Sequence, residues 1–342
     1  MANYLAIETT GGRRFAAVER ALREPGWDEV RIRVHACGIC HTDAVAVEAD
    51  GGAAIVPGHE VVGVIEAIGP APAQDWRVGE RVGVGFLGGH CGRCTPCRRG
   101  DFVNCADQPR LGLTADGGYA EVLYARSSGL VRIPDELSAV EAAPLLCAGL
   151  TTFQALQQGG ARPGALVAIQ GLGGLGHLGV QYAARLGHRV AVVARGEDKR
   201  ALAERLGAEH YVDSTTQDPG EALQALGGAA AIVATAASGA SMSPLVHGLA
   251  PRGRLVVVGA AADPVQVDTL ALIFGTRSIA GSLTGTPIEN EDNLAFAAQR
   301  GIRPMLETFP LAEAEKAYER MISGAARFRA VLTTQANEGA NA

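Results

Sequence analysis

The stretch Leu166–Gly187, LVAIQGLGGLGHLGVQYAARLG, predicts the fold of the second half of the chain. The residues LVAIQ are typical of a buried strand, and the residues after GLGGLG have the spacing of a helix. A G-x-G-x-x-G turn in this context is typical of dinucleotide binding, with the pyrophosphate at the helix N-terminus. We predict that Gly171 allows the tight turn, Gly173 lets the backbone approach phosphate, and Gly176 lets the helix pack on the strand, with Gly174 in the same phosphate-binding turn.

Strands and helices continue to alternate after this motif. The predicted strands are RVAVVA (189–194), HYVDS (210–214), AAIVATA (230–236), RLVVVGA (254–260) and RSIAGS (277–282), with a helix over 197–206. Strand–helix alternation with short connections favours a doubly wound α/β fold with a parallel sheet. We assign residues 148–289 to this domain.

The first part of the chain has a different pattern. Short strands are separated by Gly, Pro or Asp, as in EVRIRVHA (29–36), EVVGVIEAIG, ERVGVGF, YAEVLYA and GLVRIP. This pattern is typical of an antiparallel, barrel-like domain. Residues from about 290 onward predict a helix pair and a strand that return to it. The first domain is therefore predicted to comprise residues 1–147 and 290–342.

The composition limits the classes of partner. The 342 residues include 30 basic and 36 acidic side chains, a net charge of −6, and 47% are hydrophobic. No basic block favours nucleic acid or an anionic membrane as a partner. No apolar run approaches the roughly 18 residues that span a bilayer, and the N-terminus does not resemble a signal peptide. We expect a soluble cytoplasmic protein, in which thiols stay reduced.

Four of the seven cysteines lie within the stretch GGHCGRCTPCRRGDFVNC, residues 88–105. They are Cys91, Cys94, Cys97 and Cys105. Reduced thiols with the spacing C-x2-C-x2-C-x7-C are typical of a closed four-sulfur zinc site. A zinc held by four protein ligands has no open position, so we expect this site to brace a loop. An iron–sulfur cluster is the less favoured alternative.

Three separate segments carry candidate ligands for a second metal. ACGICHTD contains Cys40, PGHE contains His59 and Glu60, and APLLCAGLTTFQAL contains Cys147. A catalytic zinc needs three protein ligands and an open fourth position. Spacing alone does not bring these segments together, and a lone cysteine or histidine is more often part of the core.

The end of the second parallel strand bears on the choice of dinucleotide. An NAD site carries an acidic residue there, which holds the ribose hydroxyls. Here the strand ends at Ala194, followed by Arg195 and then Lys199, which favours NADP(H) over NAD(H). Glu197 and Asp198 keep NAD(H) open, because a small loop shift could bring either carboxylate near the ribose.

The motifs GICHTD, PGHE, GHCGRCTPCRRGDFVNC, APLLCAGLTTFQAL and GLGGLG occur in this order. Together they resemble the zinc-dependent alcohol dehydrogenases of the medium-chain dehydrogenase/reductase family, over about residues 28–333. The resemblance implies a GroES-like catalytic domain interrupted by a Rossmann cofactor domain. It also implies reversible hydride transfer between a primary or secondary alcohol and NADP(H) or NAD(H).

The resemblance also assigns the metal ligands. It implies two zinc ions per chain, a structural one on the four clustered cysteines and a catalytic one on Cys40, His59 and Cys147. Glu60 resembles the carboxylate that approaches the catalytic metal as water and substrate exchange. Asp43 matches a carboxylate that orients the ligand imidazole.

Further roles follow from the same resemblance. Thr42 matches the hydroxyl that passes the proton of the substrate oxygen. His41 and Arg329 match basic residues that contact the cofactor pyrophosphate, and Thr151 matches a contact near the nicotinamide. Many relatives carry a histidine where Val45 stands, so we expect an altered pH dependence of turnover rather than its loss.

Other functions remain open at this point. A different reductase of the family, of the aldehyde, enone or polyol type, has the same fold, as does an inactive zinc-binding protein. The resemblance implies a small-molecule alcohol or aldehyde as substrate. It also implies a homo-oligomer, either a tetramer or a dimer.

Overall fold

The computed structural model describes residues 2–336, which form two compact units. The first unit contains the chain up to Cys147, Thr284–Gln299 and the residues from Arg303 onward. The second contains Ala148–Leu283 and Arg300–Ile302. The chain returns to the first unit at Thr284, six residues before the predicted boundary at residue 290.

The described chain contains fifteen strands and eleven α-helices. The strands are β1 Asn3–Thr9, β2 Phe15–Ala21, β3 Glu29–Ile39, β4 Glu60–Ile68, β5 Arg81–Val84, β6 Val122–Arg126, β7 Leu130–Arg132, β8 Leu166–Gln170, β9 Arg189–Ala194, β10 His210–Asp213, β11 Ala229–Ala234, β12 Leu249–Val257, β13 Ser278–Gly281, β14 Leu306–Pro310 and β15 Arg329–Thr333. The helices are α1 Ala44–Val47, α2 Thr95–Arg98, α3 Ala139–Pro144, α4 Leu150–Gly159, α5 Gly176–Arg185, α6 Arg200–Leu206, α7 Pro219–Ala225, α8 Gly239–Met242, α9 Thr269–Gly275, α10 Pro287–Arg300 and α11 Ala314–Ile322.

The first unit is built around β3. Its alternating side chains Val30, Ile32 and Val34 are fully buried in the core, as the period-two pattern predicts. The main sheet has the order β14-β15-β3-β4-β5-β7, with β6 also paired to β3. β1 and β2 form a separate antiparallel pair. The predicted antiparallel, GroES-like domain is confirmed, although the sequence analysis did not identify β1, β2 or β14.

The second unit contains a six-stranded parallel sheet in the order β10-β9-β8-β11-β12-β13. This is the order of a Rossmann fold, which confirms the predicted doubly wound domain. β8 and β9 span the predicted residues. β12 begins at Leu249 rather than at the predicted Arg254. Leu249 already pairs with Ala229 of β11, and the register shifts before Arg254 pairs with Ala231. α6 begins at Arg200, three residues later than predicted.

One helical run, Ala139–Gly159, joins α3 and α4 through a π-helical turn at Leu145–Gly149. Ser138 and Glu141 cap its start through reciprocal hydrogen bonds. Its length and its mean hydropathy of 1.3 would suit a membrane-spanning helix. However, 72% of its most apolar stretch is buried inside the protein. A helix in the interior of a protein passes the same test of length and composition.

Candidate metal and cofactor sites

Cys40, His59, Glu60 and Cys147 converge in the first unit. One ligand atom from each side chain lies within 4.8 Å of the corresponding atoms of the others. The sulfur atoms of Cys40 and Cys147 are 3.9 Å apart. Two sulfurs bound to one tetrahedral zinc would be about 3.8 Å apart, given Zn–S bonds of about 2.3 Å. The donor types and their spacing therefore fit a zinc ion.

Two glycines make this convergence possible. Gly38 in β3 pairs with Glu60 in β4, and a Cβ at Gly38 would come within 1.9 Å of the Glu60 carboxylate. Gly58 has a φ of +97°, and a Cβ there would lie 2.4 Å from the ring of Tyr119. The left-handed conformation that glycine allows therefore sets the approach of the chain to His59.

His59 is oriented by buried polar groups. Its Nδ1 lies 3.0 Å from Asp43 Oδ1. The other oxygen of Asp43 accepts hydrogen bonds from the Cys40 backbone N–H at 3.0 Å and the Tyr119 hydroxyl at 2.9 Å. The ring of Phe86 packs edge-on against the imidazole, with 5.2 Å between centroids. Within residues 2–336, both ring nitrogens of His59 are buried without a hydrogen-bond partner. Because Nδ1 faces Asp43, Nε2 is the nitrogen available to a metal.

The two thiols of this site have opposite shifts of their pKa values. A hydrogen bond from Cys147, followed by the charge of His59, lowers the pKa of Cys40 well below its ordinary value. The same hydrogen bond, together with burial, raises the pKa of Cys147 well above its ordinary value. The thiolate form of Cys40 is therefore favoured, and the thiolate is the form of cysteine that binds a metal ion.

Glu60 forms a buried ion pair with Arg329. Burial raises the pKa of Glu60 to about 7, although the charge of Arg329 opposes the shift. Arg329 also donates a hydrogen bond to the carbonyl of Ile39 at 3.0 Å. β15 lies beside β3 and directs the Arg329 side chain toward Glu60. The contact of Arg329 with the cofactor pyrophosphate stays a prediction.

The four clustered cysteines also form a compact group, with all their sulfur atoms within 4.8 Å of one another. The sulfur of Cys105 lies 3.9 Å from that of Cys94 and 3.6 Å from that of Cys91. The backbone N–H groups of Arg93 and Cys94 lower the pKa of Cys91 to about 6, which favours the thiolate. None of the seven cysteines forms a disulfide. This group fits a four-sulfur zinc ion.

The glycine-rich turn has the geometry that the motif predicts. Gly171 has a φ of +92°, and a Cβ at Gly176 would lie 1.9 Å from the Gly171 carbonyl oxygen. A Cβ at Gly173 would meet nothing within 4 Å, which leaves room for a ligand. Gly174 lies half-buried in the same turn. The buried His177, which the sequence analysis did not assign to the turn, has its Nδ1 3.0 Å from the Gly173 carbonyl.

Basic side chains follow the second parallel strand. Ala194 is buried at the end of β9, and Arg195 is exposed next to it. The ammonium group of Lys199 donates a hydrogen bond to the Leu172 carbonyl at 3.0 Å. Lys199 therefore lies against the glycine-rich turn, as required of a residue that would contact a cofactor phosphate.

The carboxylates of this region have other partners. Glu197 pairs with Arg200 at 2.5 Å. Asp213, which the sequence analysis missed, ends β10 beside Ala194. Its Oδ1 accepts hydrogen bonds from the N–H of Gly196 at 2.8 Å and from the N–H and hydroxyl of Thr215 at 2.9 and 2.7 Å. Its place near the end of the predicted strand HYVDS (210–214) was the signal that could have identified it.

The remaining residues singled out from the sequence differ in burial and in their distance from the Cys40 group. The hydroxyl of Thr42 lies 3.6 Å from the Cys40 sulfur, at hydrogen-bond distance for sulfur. His41 and Val45 are exposed, and Thr151 is buried in α4. The structure thus brings Thr42 to the Cys40 group, whereas His41 has an exposed side chain.

Comparison with known proteins agrees with this geometry. Residues 26–135 match the alcohol dehydrogenase GroES-like domain family, and residues 174–299 match the zinc-binding dehydrogenase family. An alcohol dehydrogenase of Aspergillus sp. (strain MF297-2) is 43% identical over 94% of this chain and 95% of its own. The chain belongs to the zinc-dependent alcohol dehydrogenases.

Solved structures of alcohol dehydrogenases have the same fold. A cinnamyl alcohol dehydrogenase of Sorghum bicolor has a TM-score of 0.88 and 31% identity, covering 97% of this chain and 98% of its own. The CAD protein of Helicobacter pylori, in complex with NADP(H), has a TM-score of 0.85 and 25% identity over 97% and 98% of the two chains. The chain is thus an oxidoreductase of the alcohol dehydrogenase family, whose residues fit zinc and a nicotinamide cofactor.

The buried ion pair of Glu60 and Arg329 is expected to contribute to the stability of the fold. Replacing Arg329 with Met leaves a buried carboxylate without its cation, and we expect the free energy of unfolding to fall by about 3–5 kcal/mol. Urea denaturation measures this change. The exposed pair of Arg320 and Glu307 supplies a matched control, since Arg320→Met should cost no more than about 1 kcal/mol.

The double variant Glu60→Gln/Arg329→Met isolates the cause. It removes the unpaired charge, so it should be more stable than Arg329→Met alone. Equal stability of the single and double variants would contradict the role of the charge pair.

Proposed function

We propose that this alcohol dehydrogenase transfers hydride reversibly between a primary or secondary alcohol and a nicotinamide cofactor, with one catalytic and one structural zinc ion. The convergence of Cys40, His59 and Cys147, with Glu60 beside them, carries the proposal. A set of three protein ligands with a fourth position for substrate is the donor arrangement of a catalytic zinc. The four clustered cysteines would hold the structural ion.

Each side chain at the buried site has a distinct role in this proposal. When bound, zinc supplies Lewis acidity that lowers the pKa of the substrate hydroxyl. Asp43 holds the imidazole of His59 in place, and Tyr119 and the Cys40 backbone hold Asp43. Glu60 provides a further carboxylate close to the ligands, and its pairing with Arg329 offsets its buried charge.

Thr42 moves the proton in the proposed reaction. In oxidation its hydroxyl would accept the proton of the substrate hydroxyl and pass its own proton on, and a bound nicotinamide would supply the acceptor for the hydride of the carbinol carbon. In reduction the proton and the hydride return by the same route. Val45 has no proton-accepting atom, and its side chain is exposed, so the proton passes from Thr42 to water.

Metal content and turnover test this proposal together. Wild-type protein should hold two zinc ions per chain, and His59→Ala should hold one. Losing a Lewis acid worth several kcal/mol should reduce the turnover of alcohols, from ethanol to cinnamyl alcohol, by at least about 1,000-fold. Metal analysis and steady-state kinetics measure the two effects.

A second histidine variant controls for general damage. His247 is exposed in the second unit, and His247→Ala should keep both zinc ions and full turnover. Full turnover in His59→Ala would refute the catalytic assignment.

NADP(H) is the proposed cofactor. Arg195 is exposed beside the end of β9, and Lys199 contacts the glycine-rich turn. The nearby Glu197 is paired with Arg200, and Asp213 is occupied by three donors. A 2′-phosphate would therefore meet two cations, with Glu197 and Asp213 held by other partners and Asp198 exposed nearby.

Cofactor titration tests the preference. Removing a charge-assisted contact in Arg195→Ala should weaken NADPH binding by about 10- to 100-fold and leave NADH binding nearly unchanged. Arg189→Ala, which removes an exposed arginine at the start of the same strand, is the matched control. Tighter binding of NADH than of NADPH by the wild type would overturn the proposal.

We also propose that the chain forms a homo-oligomer in the cytoplasm. β13 is an edge strand of the parallel sheet, and α9 before it has no buried residue. Five large hydrophobic side chains in and near α9 and β13 are exposed: Leu270, Ile273, Phe274, Ile279 and Leu283. An apolar group beside an open strand edge is typical of an interface. A second copy of the chain supplies the same surface by two-fold symmetry.

The proposed location in the cytoplasm rests on the cysteines. All seven thiols are free, which suits a reducing compartment.

A charge on this surface should break the assembly. Phe274 is 86% exposed, and Phe274→Asp should convert the oligomer to a smaller species in analytical ultracentrifugation. Val78→Asp changes an equally apolar, exposed residue of the first unit and should leave the assembly intact. A monomeric wild type would contradict the proposal.

A further inference from the structure

The π-helical turn Leu145–Gly149, which carries Cys147, receives two hydrogen bonds from α10. The amide of Asn293 donates to the Leu145 carbonyl at 3.0 Å, and the amide of Asn290 donates to the Leu146 carbonyl at 3.1 Å. Both asparagines are buried. A buried amide is costly without a partner, so these hydrogen bonds fix the two carbonyls and the helix relative to each other.

The two asparagines form one connected network. Asn293 also donates to the side-chain oxygen of Asn290 at 3.1 Å. The hydrogen bonds to the turn join residues 144 and 148 positions apart in the sequence. Networks of this kind in a low-dielectric interior restrict the groups that they join. The position of the turn is thus specified from outside its own helix.

The space around one of these carbonyls is also restricted. A Cβ at Gly85, just after β5, would lie 3.0 Å from the Leu146 carbonyl oxygen and 3.6 Å from the amide nitrogen of Asn290. The Leu146 carbonyl is therefore enclosed by the backbone of Gly85 on one side and by the amide of Asn290 on another. A displacement of this carbonyl would break a hydrogen bond or create a close contact.

The turn needs such support because its own helix is irregular there. Pro144, immediately before it, has no N–H to donate to the preceding turn. A π-helical turn is rare and occurs frequently at functional sites. Since Leu145 and Leu146 directly precede Cys147, the positions of their carbonyls set the direction of its side chain.

We propose that Asn290 and Asn293 act as a positioning clamp, which holds the Cys147 sulfur in the geometry of the catalytic metal site. This inference rests on the proposed zinc site at Cys40, His59 and Cys147. The asparagines donate to the carbonyls of the two residues before Cys147. They thus act on the backbone beside the ligand, so their loss should weaken metal retention.

Zinc release to a chromophoric chelator tests the clamp. The wild type should release its two zinc ions in two phases, and the phase absent from His59→Ala belongs to the buried site. Asn290→Leu and Asn293→Leu should accelerate that phase by about 10- to 100-fold. The phase of the four-cysteine site should keep its rate, because these residues do not contact it.

Three further variants separate positioning from general destabilisation. Leu294→Ala creates a cavity at a buried residue of the same helix, and Asp292→Asn changes an exposed one. Both should retain the slow release at the buried site. Gly85→Ala keeps both asparagines but crowds the Leu146 carbonyl, and it should accelerate release as the asparagine variants do.

The outcomes distinguish the clamp from the proposed function. Equal acceleration by Leu294→Ala and by the asparagine variants, at matched urea stability, would overturn the clamp. Unchanged release in Gly85→Ala and in both asparagine variants would also overturn it. A zinc content that does not fall in His59→Ala would instead overturn the proposed catalytic site on which the clamp depends.

Discussion

The antiparallel pairing of β3 with β4 is the constraint on which the buried site depends. It places the end of β3, which leads to Cys40, beside the start of β4 at Glu60. β15 pairs with the same part of β3 from its other side, which brings the guanidinium of Arg329 to Glu60. The backbone ladder therefore gathers a thiol, a carboxylate and a cation before any metal is considered. Cys147 completes the group from a separate helix.

The two groups of metal-binding side chains differ in how they depend on the fold. The four-cysteine group lies within one short loop, so closing it around an ion costs little chain entropy. The buried group joins Cys40 to a residue 107 positions away, and it exists after the core has assembled. Metal binding at the first therefore orders a loop, whereas binding at the second depends on completed tertiary structure.

This difference explains how much the sequence could predict. β8 and β9 were located correctly because buried parallel strands are short apolar runs bounded by glycine. The candidate ligands were predicted because the motifs that carry the family resemblance are local. Tyr119 and Asn290 were missed because their partners lie 76 and 144 residues away, and an isolated tyrosine or asparagine has no periodic signal. The pairing of Arg329 with Glu60 was not predicted for the same reason, since a charged side chain predicts a partner but does not say which one.

The hydrogen bonds of Asp213 have a consequence for the evolution of this enzyme. The carboxylate beside Ala194 already ties together two loops of the second unit, through Gly196 and Thr215. Recruiting it to hold a ribose would undo those turns. A change from the proposed NADP(H) to NAD(H) would most directly place a new acid at Ala194, a buried position that would then have to carry charge.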